Sequence, residues 1–290
     1  MIVDCHYHLD TSMLPLTDLF RQMEECGVDR IALMALLNEP LPEPPRVLVK
    51  TLQTCLKHRT LRSLARVMSA NFTDDGSLKT PLGVFRILAD PDNEPVFRIA
   101  EKHPDRFYCW VFVNPSGRSD LQKELARWEG HDALIGIKAH PFWHRYPPGK
   151  LLTAADLAVR WRKPLLIHAG FGEHGDITPL IQEMPELKLI LAHAAFPLYK
   201  QYWKAIRGNK RVFVDLSQTI YVDTGTIREV VDYLGPERCL YGTDGPYGLK
   251  GNGSSYDYGL VKRNIEDIFP VEKIRRRILG ENFLELTGAQ

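Results

Sequence analysis

The sequence lacks any run of about 18 consecutive apolar residues, which excludes a membrane-spanning helix of ordinary length. It also lacks a charge excess, since 37 Lys and Arg face 36 Asp and Glu and the formal net charge is +1. So small a net charge gives no global basic field to attract nucleic acid. The opening residues, MIVDCHYHLD, lack the apolar centre of a secretory signal. We therefore expect a cytoplasmic protein with neither a nucleic-acid nor a membrane partner.

Cysteine is scarce and shows no pairing pattern. The five cysteines are widely spaced and form no CxxC motif. This argues against both the dense disulfide framework of small secreted proteins and a structural zinc knot. Three of them, Cys5, Cys109 and Cys239, lie in apolar runs, where a free thiol packs as a small hydrophobic group.

Eight short apolar runs alternate with longer amphipathic stretches. Near-continuous apolar runs are typical of parallel strands that helices cover on the outside. The predicted strands are Ile2–Cys5, Arg30–Leu37, Phe107–Val113, Leu134–Ala139, Pro164–His168, Lys188–His193, Val212–Leu216 and Cys239–Tyr241. The predicted helices between and after them are Leu16–Cys26, Asn93–His103, Leu121–Trp128, Ala154–Arg162, Ile177–Met184, Tyr199–Ile206, Thr226–Leu234 and Tyr256–Ile268. Eight such alternations over 290 residues predict one α/β domain, a (β/α)8 TIM barrel.

One interval breaks this rhythm, between predicted strands two and three. The segment 38–91 begins with NEPLPEPP and continues into a predicted helix at Val47–Met68. Because it follows the C-terminal end of a strand, we expect it to lie over the barrel mouth as a lid that selects substrates. The alternative is an excursion without a role at the site, or one that forms the contact of a homodimer.

Polar side chains close several of the predicted strands, where a TIM barrel carries its active site. These residues are His6, His8, His168, His193 and Asp244. The pair His6 and His8 is spaced i, i+2, so both imidazoles face the same side of a strand and can share an ion. Each residue alone has an ordinary structural explanation, such as a hydrogen-bonded core histidine or an aspartate that caps a helix. Together they predict a metal site.

Imidazole and carboxylate ligands suit divalent zinc, manganese or iron. Three or four protein ligands with an open position are typical of a catalytic site, whereas a structural zinc site is closed. We expect zinc first, with manganese and iron as alternatives, and one or two ions.

Lys138, in GIKAHP, is the most ambiguous residue of the set. By strand parity it faces the same side as His140, and a lysine inside a barrel is costly unless it is paired or modified. It is either carbamylated and bridges two metal ions, or a free amine that binds a substrate carboxylate, or simply paired with a neighbouring acid. His140 binds substrate or shapes its loop.

The loops after the predicted strands are rich in aromatic and cationic side chains. The candidates for substrate binding are Lys138, His140, Trp143, Arg145 and Tyr247, and Arg145 is the first choice as a carboxylate anchor, with Arg66 and Arg86 as rivals. Flat apolar walls with one or two cations suit a small aromatic or unsaturated carboxylate. The alternative is that these aromatic side chains only pack the insertion onto the barrel.

The ordered set VDCHYH, GIKAHP, PLLIHAG, LILAHA, VDLS and YGTDGP, closed by ILGENFLELTG, resembles the amidohydrolase superfamily. More narrowly it is similar to the amidohydrolase-related branch, which contains aminocarboxymuconate-semialdehyde decarboxylase, resorcylate-type decarboxylases and many hydrolases. The resemblance covers nearly the whole chain apart from the insertion. It implies that His6, His8 and His168 are metal ligands and that Asp244 is both a ligand and a proton-transfer group. It implies that His193 either binds a second metal or polarises the substrate.

Three functions remain open on these grounds. The leading hypothesis is metal-dependent hydrolysis of an amide, a lactone or a carbon–carbon bond beside a carbonyl, with Asp244 as the proton acceptor and His193 stabilising the oxyanion. The second is nonoxidative decarboxylation, a lyase reaction that the same metal ligands would serve. The third is a barrel that binds a ligand without turnover, and the complete set of candidate ligands argues against it.

Overall fold

The computed structural model describes residues 1–40, 45–61, 64, 71–80, 82–248 and 256–289, with the backbone alone at 46, 49, 53, 57 and 59. Within these residues eight parallel strands form one sheet that nearly closes on itself. They are β1 Val3–His8, β2 Arg30–Met34, β5 Phe107–Val113, β6 Leu134–Ala139, β7 Leu165–Ile167, β8 Leu189–Leu191, β9 Val212–Asp215 and β10 Cys239–Leu240. The closing contacts run from β1 to the segment after β10, where the backbone N–H of His8 donates to the carbonyl of Gly245 at 2.7 Å.

Helices follow the strands in chain order, as expected for right-handed β/α units. They are α1 Leu16–Cys26, α2 Arg46–Lys57, α3 Glu94–Lys102, α4 Leu121–Trp128, α5 Pro141–His144, α6 Leu152–Arg160, α7 Thr178–Gln182, α8 Lys200–Ile206, α9 Thr224–Leu234, α10 Leu260–Ile268, α11 Glu272–Arg276 and α12 Asn282–Thr287. Local chemistry sets several ends. Asp120 caps α4 by accepting from two backbone N–H groups, and Gly27 ends α1 at a φ of 63°.

The TIM barrel predicted from the sequence is confirmed, and the differences lie in the bounds of its elements. Strand β1 continues to His8, three residues beyond the expected end, and β8 stops at Leu191, before His193. The predicted helix Val47–Met68 is wrong in its length, because α2 ends at Lys57 and residues 62–63 and 65–70 lie outside the described part. A short hairpin, β3 Leu78–Thr80 with β4 Gly83–Phe85, was not expected.

The barrel interior is divided into an apolar lower half and a polar mouth. Alternate strand residues such as Val3, Cys5 and Trp110 pack in one buried cluster with Phe283 and Leu286 of α12, which plug the end where the strands begin. The sequence did not predict helices α11 and α12, and α12 supplies the residues that close this end of the barrel. The polar residues of the candidate site lie at the opposite end of the same strands.

Two strand irregularities turn polar side chains into the barrel. The pairing of β1 with β2 shifts register between Asp4 and Tyr7, and that of β5 with β6 shifts next to Trp110. A bulge adds one residue and so reverses which side chains face inward. Cys5 and His6 both face inward for this reason.

All five cysteines are free thiols, and four of them are buried. In the described part of the chain, no helix combines the length and the apolar character needed to cross a membrane.

Candidate metal centre and active site

Three predicted ligands from opposite ends of the sequence meet at the barrel mouth. Oδ1 of Asp244 lies 3.1 Å from Nε2 of His6 and 3.5 Å from Nε2 of His8. The three ligand atoms lie within 4.8 Å of one another, and all three side chains are buried. A buried cluster of two imidazole nitrogens and one carboxylate oxygen is a donor set that suits a divalent transition metal.

The outer nitrogens of both histidines are already engaged. Nδ1 of His8 lies 2.7 Å from the carbonyl oxygen of Ala35, so it carries the proton and donates it. Nδ1 of His6 lies 2.9 Å from Oδ2 of Asp215, which is fully buried. Metal-binding histidines are commonly held by such a bond from the second ring nitrogen. Both Nε2 atoms are therefore directed at the cluster, and the residues fit a metal ion.

Burial and the neighbouring charges set the protonation of the cluster. Burial lowers the pKa of His8 to about 3, so its ring is neutral at physiological pH. Burial and Lys138 lower the pKa of His6, but Asp215 and Asp244 outweigh them and raise it above 6.5. Burial raises the pKa of Asp244, yet the electrostatic effects of the adjacent His193 and His6 rings and the hydrogen bond with His6 hold it below its ordinary value. Asp244 is thus a carboxylate.

His168 lies beside this cluster and outside its three-residue group. Its Nε2 is buried and, among the described residues, has no hydrogen-bond partner. Its ring centroid lies 4.6 Å from that of His193 and 4.2 Å from that of His140. An unpartnered buried imidazole nitrogen calls for an explanation, and a metal ion or a ligand at the mouth supplies one.

His193 adopts a backbone conformation that side chains rarely take. It has a φ of 57°, and Ala194 and Ala195 follow at 52° and 62°. Three left-handed residues in a row are costly, and such strain concentrates at functional sites. The backbone N–H of His193 donates to Oδ1 of Asp215 at 2.9 Å, which holds the turn and directs the ring toward the mouth.

The ring of His193 is held by Ser217. Its Nδ1 lies 2.8 Å from Oγ of Ser217, and that hydroxyl donates its proton to Oδ1 of Asp215. The serine oxygen must therefore accept from Nδ1–H, so Nε2 of His193 carries a lone pair. Nε2 lies 4.0 Å from Oδ2 of Asp244, and burial lowers the pKa of His193 to about 4. The ring is neutral and faces the cluster.

Lys138 is fully buried and its Nζ lies 3.3 Å from Nε2 of His6. Burial lowers the pKa of the amine to about 8, against the opposing effect of Asp244 and Asp215. The structure thus brings Lys138 to the ligand cluster rather than to the loops above it.

The predicted substrate-binding residues divide into those near the cluster and one that lies apart. Nδ1 of His140 accepts the backbone N–H of Trp143 at 3.0 Å, so its Nε2 carries the proton. Nε1 of Trp143 is buried and has no partner among the described residues. The ring of Tyr247 lies 5.5 Å from that of His8. Arg145 is exposed, and its guanidinium carbon lies 5.4 Å from the Phe72 ring.

Of the two rivals for the carboxylate anchor, Arg66 lies outside the described residues. Arg86 is exposed and lines a cavity of about 570 Å³ between the hairpin and residue Arg118.

Sequence reasoning missed Asp215 and Ser217 as parts of the site. They belong to the VDLS motif of predicted strand seven, which was quoted only for the family resemblance. The available signal was an aspartate and a serine two residues apart at a strand end, which places both on the inward face. Gln218, in the loop that follows Ser217, donates from its side-chain nitrogen to Oδ2 of Asp244 at 2.7 Å.

Comparisons with solved structures find the same fold at low identity. 4-Oxalomesaconate hydratase from Rhodopseudomonas palustris is 16% identical, with a TM-score of 0.63, over 100% of this chain and 96% of that one. A probable 2-pyrone-4,6-dicarboxylic acid hydrolase from Acinetobacter baumannii, with citric acid bound, is 12% identical with a TM-score of 0.61, over 99% of both chains.

A dihydroxybenzoic acid decarboxylase from Polaromonas sp. JS666, with bound manganese and the inhibitor 2-nitroresorcinol, is 15% identical. Its TM-score is 0.61, over 99% of this chain and 96% of that one. No protein of curated function matches the sequence. The sequence pattern of the family described as Amidohydrolase matches residues 3–286, nearly the whole chain. The chain therefore belongs to the amidohydrolase family of metal-dependent enzymes.

Proposed function

We propose that this protein is a metal-dependent hydrolase of a small, flat carboxylic acid. The bond that is cleaved is the acyl bond of a lactone or of another activated carbonyl group. The observation that carries the proposal is the hydrogen-bond chain from His193 through Ser217 to Asp215, which leaves Nε2 of His193 without a proton and 4.0 Å from Oδ2 of Asp244. A neutral imidazole with a free nitrogen beside a metal cluster is suited to accept a proton from water.

The residues that would hold the metal are His6, His8, His168 and Asp244. Zinc is our first assignment, and manganese and iron fit the same ligands. A bound divalent ion would lower the pKa of water and withdraw charge from the substrate carbonyl.

The proton path differs from the one expected from the sequence. Oδ1 of Asp244 faces the two histidines and Oδ2 accepts from Gln218, so both oxygens are engaged. Nε2 of His193 has no proton at the start of the reaction, so it must accept one before it can donate one. We assign His193 as the base that takes the proton of the attacking water and returns it to the leaving oxygen. Asp244 is assigned as a ligand.

The substrate is assigned as a carboxylate from the donors of the loop after β6. Trp143 presents an unpartnered indole N–H, and His140 presents a protonated Nε2. Neutral N–H groups can bind a carboxylate without burying an opposing charge. The three similar structures described above are named for acids or carry an acid or a nitrophenol, which agrees with this class.

The insertion is proposed as the lid. Nε2 of His144, at the end of α5, lies 2.9 Å from the carbonyl oxygen of Leu88 in the insertion. The pair formed by Arg145 and Phe72 is a second contact between the same two segments. The insertion therefore packs on the loop that carries His140 and Trp143, where it can cover a bound substrate.

Decarboxylation is the second candidate function. Aromatic rings line one side of the site, where Tyr221 stacks on Phe196 at 4.0 Å and lies 5.7 Å from the ring of His193. Such a wall suits an aromatic acid. In this reaction the proton would go to the carbon that loses CO2, and water would not be incorporated.

One experiment separates these reactions. The metal-loaded protein is incubated in ¹⁸O-labelled water with a panel of unsaturated lactone acids and hydroxybenzoic acids, and products are analysed by mass spectrometry. Hydrolysis predicts one ¹⁸O atom per product and no CO2. Release of CO2 with no ¹⁸O in the organic product would support the lyase. No turnover of any compound in the panel would contradict the assigned substrate class.

A further inference from the structure

We propose that Asp215 is a positioning residue that fixes the hydrogen positions on two histidines at once. It holds His6 with Nε2 free for a metal ion and, through Ser217, holds His193 with Nε2 free to accept a proton. This inference deepens the proposed function and rests on its assignment of His6 as a ligand and His193 as the base.

The carboxylate of Asp215 is fully buried, and each of its hydrogen bonds with the described residues comes from a donor group. Oδ2 accepts from Nδ1 of His6 at 2.9 Å. Oδ1 accepts the backbone N–H of His193 at 2.9 Å, the backbone N–H of Ser217 at 3.1 Å, and the Ser217 hydroxyl. An ionised carboxylate can only accept hydrogen bonds, so it dictates where each neighbouring proton must lie.

For His6 the consequence is direct. Nδ1 must be the protonated nitrogen because it faces an acceptor at 2.9 Å. Nε2 is the nitrogen that faces Asp244 and His8 in the ligand cluster. An asparagine at position 215 could turn its amide N–H toward Nδ1, and this would favour the wrong tautomer for binding a metal through Nε2.

For His193 the consequence passes through one hydroxyl. The Ser217 hydroxyl has a single hydrogen and donates it in a hydrogen bond to Asp215. The serine oxygen can therefore only accept from Nδ1 of His193. The same carboxylate also accepts from the backbone of His193, where φ is 57°. Asp215 therefore fixes both the position and the tautomer of this ring.

The sharing of one carboxylate links the metal ligand to the base. The ring centroids of His6 and His193 lie 5.1 Å apart with planes only 21° from parallel. The two rings are therefore stacked side by side at the site. An enzyme that needs one nitrogen to bind a metal and another to accept a proton gains both from a single buried residue.

The test is nitrogen NMR of the ¹⁵N-labelled, zinc-loaded protein, with His193→Gln used to assign the signals of His193. In the wild type we expect His6 and His193 both protonated at Nδ1. In Ser217→Ala we expect His193 to lose this preference and His6 to keep it. Asp4→Asn replaces another fully buried carboxylate that contacts neither Ser217 nor His193, and it should leave the His193 tautomer unchanged.

Metal affinity and kinetics give the second readout. We expect Asp215→Asn to weaken zinc binding about tenfold or more, and Ser217→Ala to leave it within about twofold. With any substrate that is turned over, Ser217→Ala should lower kcat about tenfold or more while KM changes little.

A wild-type His193 protonated at Nε2, or an unchanged His193 tautomer in Ser217→Ala, would overturn the proposal. The wild-type spectrum depends only on His193→Gln for its assignment, so a failure of Ser217→Ala or Asp215→Asn to fold does not protect the proposal. Tautomers and zinc affinity are measured without substrate. Correct tautomers in a protein that hydrolyses none of the panel would therefore contradict the proposed function and leave the role of Asp215 standing.

Discussion

Nζ of Lys138 lies 3.3 Å from Nε2 of His6, the nitrogen assigned to a metal ion. The amine and a cation bound at His6 would therefore be close neighbours. Two positive charges at that separation repel, and burial already disfavours the ammonium form. A loaded site requires Lys138 to be a neutral amine or a carbamate, and these two states predict different metal contents.

The first prediction concerns that metal content. We expect inductively coupled plasma mass spectrometry of protein purified without chelator to give close to one metal ion per chain. The two groups of possible ligands, His6 with His8 and Asp244 and His6 with His193 and Asp215, share His6. Lys138→Gln should then keep its metal. Close to two ions per chain, with the loss of one in Lys138→Gln, would instead identify Lys138 as a carbamate bridge and contradict the single-ion assignment.

The second prediction concerns the ligands themselves. His8→Ala should remove most of the bound metal and at least about 99% of activity, because it deletes one of the protein ligands of the catalytic ion. Metal content and circular dichroism are measured together, so that loss of fold is distinguished from loss of metal. The control is His131→Ala. His131 lies before the start of β6, at the far end of the barrel, so this variant should keep its metal and its activity. Full metal content in His8→Ala would exclude His8 as a ligand.

The third prediction concerns pH. The pKa of His6 in the metal-free protein is raised above 6.5, against burial, by Asp215 and Asp244. A proton on Nε2 occupies the nitrogen that binds the metal, so protons and zinc compete as the pH falls below that pKa. Zinc binding also requires Lys138 to lose its proton, and the pKa of that amine is about 8. We therefore expect zinc affinity to fall about tenfold per pH unit below pH 8, and more steeply below the pKa of His6. Calorimetric titration of apoprotein between pH 8 and pH 5.5 tests this, and a flat profile would contradict it.

The fourth prediction concerns substrate recognition. Trp143→Phe keeps the aromatic surface and removes the unpartnered N–H, so KM should rise about tenfold with little change in kcat. Arg145→Ala removes an exposed cation whose contact is Phe72, and KM should stay within about twofold. Steady-state kinetics of the two variants decide between them. A larger effect for Arg145→Ala would restore Arg145 as the carboxylate anchor.

The fifth prediction concerns Asp4, which lies behind the ligands and accepts from Thr243 and from the backbone of His6. Burial raises its pKa from 3.8 to about 6, although these hydrogen bonds oppose the rise. The folded protein therefore holds a proton here that the unfolded chain releases near pH 4. This contribution to stability is present below that pH and is lost as the pH rises to about 6.

Above pH 6 the buried carboxylate costs up to about 3 kcal/mol relative to its protonated form. Asp4→Asn removes that dependence, so its stability relative to wild type should improve between pH 4 and pH 7. Urea denaturation at both values measures the difference. An equal difference at the two pH values would show that Asp4 does not titrate in this range.

The sequence alone determined the barrel and placed three of the candidate ligands at one rim. Periodicity located all eight strands, because parallel strands that are buried on both faces must be apolar along their whole length. Strand ends placed His6, His8 and Asp244 at one rim, because all parallel strands finish on the same side of a closed sheet. The structure brings these three residues together as that argument requires.

Tertiary structure decided which atoms face one another. The register shift in β1 lets both Cys5 and His6 face inward, and simple alternation within a strand does not reveal it. The left-handed turn at His193 likewise depends on Asp215, which lies on a different strand. A pattern read along one segment records which side chains share a face of that segment. The hydrogen bonds that assign roles to Lys138, His193 and Asp215 join strands that are far apart in sequence, and only the closed barrel brings them within reach.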